Sequence, residues 1–178
     1  MKPRRVRVVP HDHAWKGRFE AEAAALRFAL GDEALAVHHI GSTSVPGLRA
    51  KPTIDVLIEV REIRKLDGLE AQMAHRGYEA WGEYGIPGRR FFTRDRGPDR
   101  LCNVHAFEAG SQEVERHLAF RDHLIQHAET ARAYGDLKRN LAERFPTDME
   151  AYMEGKDAFI KETEREALSR TRSRSGAT

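Results

Sequence analysis

The 178-residue sequence predicts an α+β fold, on three observations. Two β-type runs, residues 34–40 and 54–60, flank a turn built of small residues. Two more, 90–94 and 101–107, straddle a polar loop as a hairpin would. Beyond residue 110 the pattern changes to apolar residues three and four apart, the helical period, in three stretches. Strand-type runs gathered before residue 110, with two helices among them and only helices after, fit an α+β fold. The pattern predicts one domain over 1–168, with its sheet within about 1–110 and its helical part within about 111–168.

Residues 6–9 read as a short edge strand closed by Pro10. Asp12 caps a helix to about Leu30, in which Trp15, Phe19, Ala23, Leu26 and Leu30 share a core-facing side. The run 34–40 then delivers His39 to Gly41. In the run 54–60, Ile54, Val56, Ile58 and Val60 lie on one face, and Asp55, Leu57 and Glu59 on the other. This suits a central strand that bears a ligand group; the plain alternative is an edge strand with one wet face. Residues 62–75 suit a helix with Ile63, Leu66, Leu69 and Met73 on one side and Gly77 just past its end. Residues 78–81 read as a strand and 82–88 as a connection.

In the run 101–107, Leu101, Asn103, His105 and Phe107 share a face, so a common sheet would point His105 to the side of Asp55. Ser111 caps a helix to about His127. A second helix covers about 129–144 and stops before Pro146, and a third, capped by Asp148, runs to about Leu168. The basic stretch 169–178 lacks periodicity and reads as a disordered tail.

Composition excludes several classes of function. The apolar fraction of 40% and charged fraction of 33% are those of an ordinary soluble domain. A net charge of +2, from 30 basic and 28 acidic residues, argues against nucleic acid or a membrane surface as partner. RNA binding through the basic tail would have to show a steep salt dependence. Cys102 is the single cysteine, which precludes an internal disulfide and suits a reducing compartment. No run approaches the roughly 20 apolar residues of a membrane span. The basic N-terminus has no apolar signal-peptide core, and a cytoplasmic protein is expected.

Chemistry concentrates in residues 38–60. Gly41 permits a sharp turn or a close approach, and Ser42, Thr43 and Ser44 suit a helix start with Ser44 as its cap. Such a turn offers backbone N–H groups to a phosphate, and Asp55 stands where a carboxylate would hold a divalent cation beside it.

The run Gly41-Ser42-Thr43-Ser44-Val45-Pro46-Gly47-Leu48, followed by Ala50-Lys51-Pro52 and an aspartate-bearing strand, resembles the GrpB-like family. The likeness continues through Phe120-Arg121-Asp122 and the segments 134–138 and 152–156, to about residue 162. That family looks like a branch of the nucleotidyltransferase superfamily, marked by Gly-Ser, a spacer and an acidic strand. The resemblance implies a nucleotidyltransferase-like mixed β-sheet flanked by helices, with a C-terminal helical segment and a nucleotide-handling ancestry. Active nucleotidyltransferases carry a second carboxylate two residues after the first and a third on a neighbouring strand. Here the second position is Leu57, and the facing residues of the later strand are Asn103 and His105. Glu59 lies about 13 Å along the strand from Asp55.

The later helices contain an echo, Tyr134/Lys138 and Tyr152/Lys156, each pair sharing a helix face. Both lysines match positions in the family's motif, and with Arg121 they are candidates to reach phosphates over the Gly41 turn. The plain alternative packs each lysine stem along its tyrosine with the head in water. Lys51, in the loop before Asp55, is a further phosphate ligand or a neutralising partner of Asp55. His105 is a candidate metal ligand or general base, and His39 a lesser one. His123 and His127 have metal-pair spacing but no evident co-ligands. Cys102, within an apolar strand, reads as an inert buried thiol.

Two functions follow. One is a metal-dependent nucleotidyltransferase acting on a nucleoside triphosphate and an unknown acceptor. In it, Gly41, Ser42 and Thr43 hold the triphosphate, Asp55 and His105 hold Mg²⁺ or Mn²⁺, and Lys51, Arg121, Lys138 and Lys156 clamp phosphate oxygens. The other is a catalytically degenerate module that binds a nucleotide or phosphometabolite, a coenzyme A-related ligand being conceivable because GrpB-like domains resemble an appendage of dephospho-coenzyme A kinases. Donor, acceptor and oligomeric state are not written in the sequence.

Overall fold

The structure is a computed structural model that describes residues 5–175. Five strands form one mixed sheet: β1 (Ala34–Ile40), β2 (Ile54–Val60), β3 (Tyr78–Ala80), β4 (Arg90–Arg96) and β5 (Asp99–Glu108), in the order β1-β2-β5-β4-β3. β2 runs parallel to β5, and the other pairs are antiparallel. The helices are α1 (Ala14–Leu30), α2 (Glu70–His75), α3 (Gln112–Gln126), α4 (Ala128–Arg144) and α5 (Met149–Ser175). The α+β expectation holds, with both site strands at the predicted bounds.

One face of the sheet makes the main core. Ile54, Val56, Ile58 and Val60 of β2 join Cys102, Val104 and Ala106 of β5 and Phe92 of β4 against Trp15, Ala23, Leu26 and Leu30 of α1. Cys102 is buried there and its thiol pKa is pushed up by burial, as an inert cysteine requires. The opposite face carries Asp55, Asn103 and Thr93, and α3 packs over its β1, β2 and β5 part. The corner 45–48 packs under α3 and α4 through Val45, Leu48, Leu124, Ala131 and Tyr134.

Several expectations need correction. Residues 6–9 contribute a single bridge, Val9 to Ala50, because Val6 instead donates its amide to Pro146 O at 2.9 Å, tying the segment to the α4–α5 corner. The stretch 62–75 is a 3₁₀ run, Ile63–Leu69, ending in α2; Gly68, a poor helix former, lies just before the change. The hairpin loop shrinks to Gly97 and Pro98, with Asp95 and Arg100 paired across it. Ser44 caps no helix: Ser42–Ser44 is a 3₁₀ turn, Val45 is already extended, and Ser44 Oγ donates back to Gly41 O at 2.5 Å.

α5 passes the expected end near Leu168 and continues to Ser175, while 176–178 lie outside the described residues. Hydroxyls of Ser169, Thr171 and Ser173 donate to carbonyls three or four residues back, and Arg170 bonds Glu166 and His127. Among the described residues, no helix is long and apolar enough to cross a membrane.

Candidate anion site at the sheet–helix junction

Antiparallel pairing places Ile40, the last residue of β1, opposite Asp55. The chain must then turn directly over that carboxyl. Gly41 does so at φ +70°, and a Cβ there would stand 2.5 Å from Asp55 Oδ2. Both the backbone conformation and the space therefore require glycine. On the other side β5 sets Asn103 beside Asp55, and its Nδ2 donates to Asp55 Oδ1 at 2.9 Å.

The helices complete the site from above. α4 and α5 each present a Tyr-x-x-x-Lys face, and in each the ammonium lies 4.5 Å from the ring centroid of its own tyrosine, Lys138 over Tyr134 and Lys156 over Tyr152. Lys51 lies over the opposite part of the arrangement, 5.4 Å from the Tyr152 ring and 3.6 Å from Met149 Sδ. The alternative with lysine heads in water does not hold, since Lys138 and Lys156 are 2% and 7% exposed. Lys138 also donates to Arg49 O. The hydroxyl of Tyr134 meets Ser42, and that of Tyr152 is buried with no partner among the described residues.

All three ammonium groups act electrostatically on Asp55. Burial nevertheless lifts its pKa above the usual carboxylate range, against the pull of the Asn103 amide and the lysines. Burial and mutual repulsion bring Lys138 down to about 7 and Lys156 down to about 8, with Asp55 pulling both the other way. Three lysine amines thus face one carboxyl group in a largely desolvated space. An anion with several oxygens would favour their charged forms and pair with them.

The remaining expected residues divide. Thr43 is buried and hydrogen-bonded to His39 Nε2 at 2.9 Å, while His39 stacks on Phe19 at 4.6 Å. Burial, then Arg121, lowers the His39 pKa to about 4, so that imidazole braces the turn in its neutral form. Arg121 donates to His39 O at 3.2 Å and pairs with Asp122, which places it against the end of β1. His105 does face the side of Asp55 but lies opposite Leu57, one pleat along. Its ring neighbours are Phe91 and His117, Arg89 donates to its Nδ1 at 3.3 Å, and burial holds its pKa well below 6.5.

His105 and Asp55 thus stand one pleat apart on the same face, each held by its own partners, Arg89 for His105 and Asn103 for Asp55. Among the described residues no three His, Cys, Asp or Glu side chains gather as a metal shell. A carboxylate and an amide ringed by ammonium groups would hold a divalent cation only together with oxygens of a bound polyanion. His123 and His127 stack at 4.1 Å, with Glu166 3.9 Å from His123 and Arg170 on His127, beside a cavity of about 650 Å³ between α3 and α5.

The four-residue spacing had set each lysine beside its tyrosine, as the structure has them. Sequence reasoning missed the carbonyl of Arg49 under Lys138 and Trp81 beside Thr93, whose signal is a long-range contact and a cross-strand register that require the sheet order.

The family profile described as GrpB protein matches residues 5–166. A UPF0157 protein, YqkA, of Bacillus subtilis is 41% identical over 98% of this chain, which spans half of that protein's length. A UPF0157 protein of Pseudomonas aeruginosa is 40% identical over 94% of the chain and 70% of its own length. The crystal structure of conserved protein GrpB from Enterococcus faecalis superposes with a TM-score of 0.89 at 44% identity, over 93% of this chain and 99% of that one. A dephospho-CoA kinase of Mycolicibacterium paratuberculosis is similar at 27% identity, over 91% of this chain and 46% of its own length.

Proposed function

The chain belongs to the GrpB family, and from that premise we propose that it binds the phosphate groups of a nucleotide or related phosphometabolite where the sheet meets α4 and α5. One observation carries the reading: Lys138 and Lys156, buried over their tyrosines, join Lys51 around a single carboxylate. Burying ammonium groups so that they repel one another is costly, and a polyanion offsets that cost. Ser42 and the turn amides stand beside the same space. The likeness to a dephospho-CoA kinase supports a nucleotide-like ligand, coenzyme A-related ones included, and a cytoplasmic setting suits it.

The test is calorimetric titration with inorganic tripolyphosphate and with ATP in the presence of EDTA. Wild-type protein binds. Lys138→Met and Lys156→Met each weaken binding by roughly ten- to a hundredfold, the scale of a hydrogen bond to a charged group. Failure of wild-type protein to bind either compound sinks the reading.

Metal-dependent nucleotidyl transfer with Mg²⁺ or Mn²⁺ is the second reading. It is favoured by the seat of Asp55 directly under the Gly41-Ser42 turn, which sets a carboxylate beside the amides that would hold a phosphate. The ring of ammonium groups and the separate surroundings of His105 count against it. Nucleotidylated product that forms on addition of Mg²⁺ or Mn²⁺ and is lost in Asp55→Asn would favour transfer over binding alone.

A further inference from the structure

The face of the sheet that carries Asp55 has a second end. Cross-strand register sets Asp55 of β2, Asn103 of β5 and Thr93 of β4 directly side by side. Hydrogen bonds fix this row. Asn103 donates to Asp55, Arg100 donates to Asn103 Oδ1 at 2.8 Å, and Trp81 Nε1 donates to Thr93 Oγ1 at 2.9 Å. The last of these lays the indole over the end of the row away from the lysines. Tyr84 stands beside it edge to face, 5.7 Å between ring centroids with 61° between the ring planes, and stacks on Phe91 at 5.2 Å.

These rings are supported from below and open above. Phe91 and Thr93 beneath them are 8% and 2% exposed, whereas Trp81 and Tyr84 are 36% and 61% exposed. The loop between β3 and β4 holds that presentation. Arg89 donates to the carbonyls of Glu83 and Tyr84, and Gly88 N donates to Glu83 Oε1 at 2.7 Å. Tyr84 has φ +43°, unusual for a bulky side chain, and its loop keeps it there with the ring turned outward. Isolated exposed aromatics need no explanation, but two adjacent ones on the face of a candidate site do.

Spacing supplies the chemistry. Neighbouring strands lie about 4.8 Å apart, so Thr93 stands about 10 Å from Asp55. A sugar puts a separation of that order between a base and its phosphates. We propose that Trp81, walled by the inclined ring of Tyr84, forms a stacking shelf for the base of a phosphorylated nucleoside, whose sugar crosses Asn103 and whose phosphates lie on Lys51, Lys138 and Lys156. This rests on the phosphate reading above and adds the other half of the ligand. Stacking on an aromatic face tolerates any base, so the shelf selects a nucleoside over a bare phosphate more strongly than one base over another.

The experiment compares the affinities of ATP, GTP, CTP and UTP with that of inorganic tripolyphosphate, in wild-type protein, Trp81→Ala and Tyr84→Ala. Wild-type protein binds at least one nucleotide roughly tenfold more tightly than tripolyphosphate, the scale of one base–aromatic stack. The variants reduce that ratio toward one. Trp15 is buried in the core, so quenching of tryptophan emission by the nucleotide, lost in Trp81→Phe, locates the base independently. Should Trp81→Ala unfold, Tyr84→Ala still decides, because that side chain holds no buried hydrogen bond. Tripolyphosphate that binds as tightly as every nucleotide overturns the shelf and leaves the phosphate reading standing. If neither kind of compound binds, both are overturned.

Discussion

At the scale of single residues the lysines carry the heaviest electrostatic load. An ammonium group that is 2% exposed, like that of Lys138, is driven toward its neutral form, and its pKa of about 7 lies far below the usual 10.5 of lysine. The unfolded chain therefore holds more protons than the folded chain between those two values, and folding stability rises with pH across that window. The groups that face it are Asp55, Lys51 and Lys156. Tyr134 and Tyr152, whose pKa values are pushed up by burial, stay neutral throughout. Subtracting the profile of Lys138→Met from that of wild-type protein should leave a curve that climbs from about pH 7 to pH 10, by up to about 1.4 kcal/mol per pH unit. Urea denaturation at stepped pH measures it. A flat difference would place the ammonium in contact with water.

At the scale of elements, what was legible is what neighbours in sequence decide. The alternation of Ile54, Val56, Ile58 and Val60 against Asp55, Leu57 and Glu59 set the bounds and faces of β2 before any partner was known. The Tyr-x-x-x-Lys echo likewise located the two cations, although whether their heads were wet depended on what α4 and α5 pack against. Long-range pairing was not legible. Residues 6–9 look like a strand, yet Val9 alone bridges to Ala50 while Val6 is bonded to the α4–α5 corner, and α1 is pinned to β3 and β4 by a group no local pattern announces. Glu22, 6% exposed on the helix face, accepts hydrogen bonds from Tyr78 and Arg94. Removing one member of a buried charged group strands the others, so Glu22→Ala should cost about 3 kcal/mol in urea unfolding while leaving tripolyphosphate affinity unchanged. A loss below about 0.5 kcal/mol would mean that Arg94 reaches water at little cost.

At the scale of the molecule, the candidate site belongs to neither part of the chain alone. β2 contributes Asp55, the segment before it Lys51, and α4 and α5 contribute Lys138 and Lys156 with their tyrosines. The contacts that bring these together are close: a Cβ at Gly135 of α4 would meet Leu48 Cδ1 at 3.3 Å, and one at Gly155 of α5 would meet Leu141 Cδ2. On the proposed function, a polyanion bound between them would screen the repulsion among the lysines, and binding would then be thermodynamically linked to the docking of the helices onto the sheet. At one hundred times its dissociation constant, tripolyphosphate should raise the unfolding free energy by about 2.7 kcal/mol. Amide hydrogen exchange should slow together in residues 47–54, in α4 around Lys138 and in α5 around Lys156, with no change in α2 and β3, which lie away from the joint. Protection confined to the α3–α5 cavity at His123 and Arg170 would instead put the anion there, and the lysine cluster would then be a costly packing feature rather than a binding site.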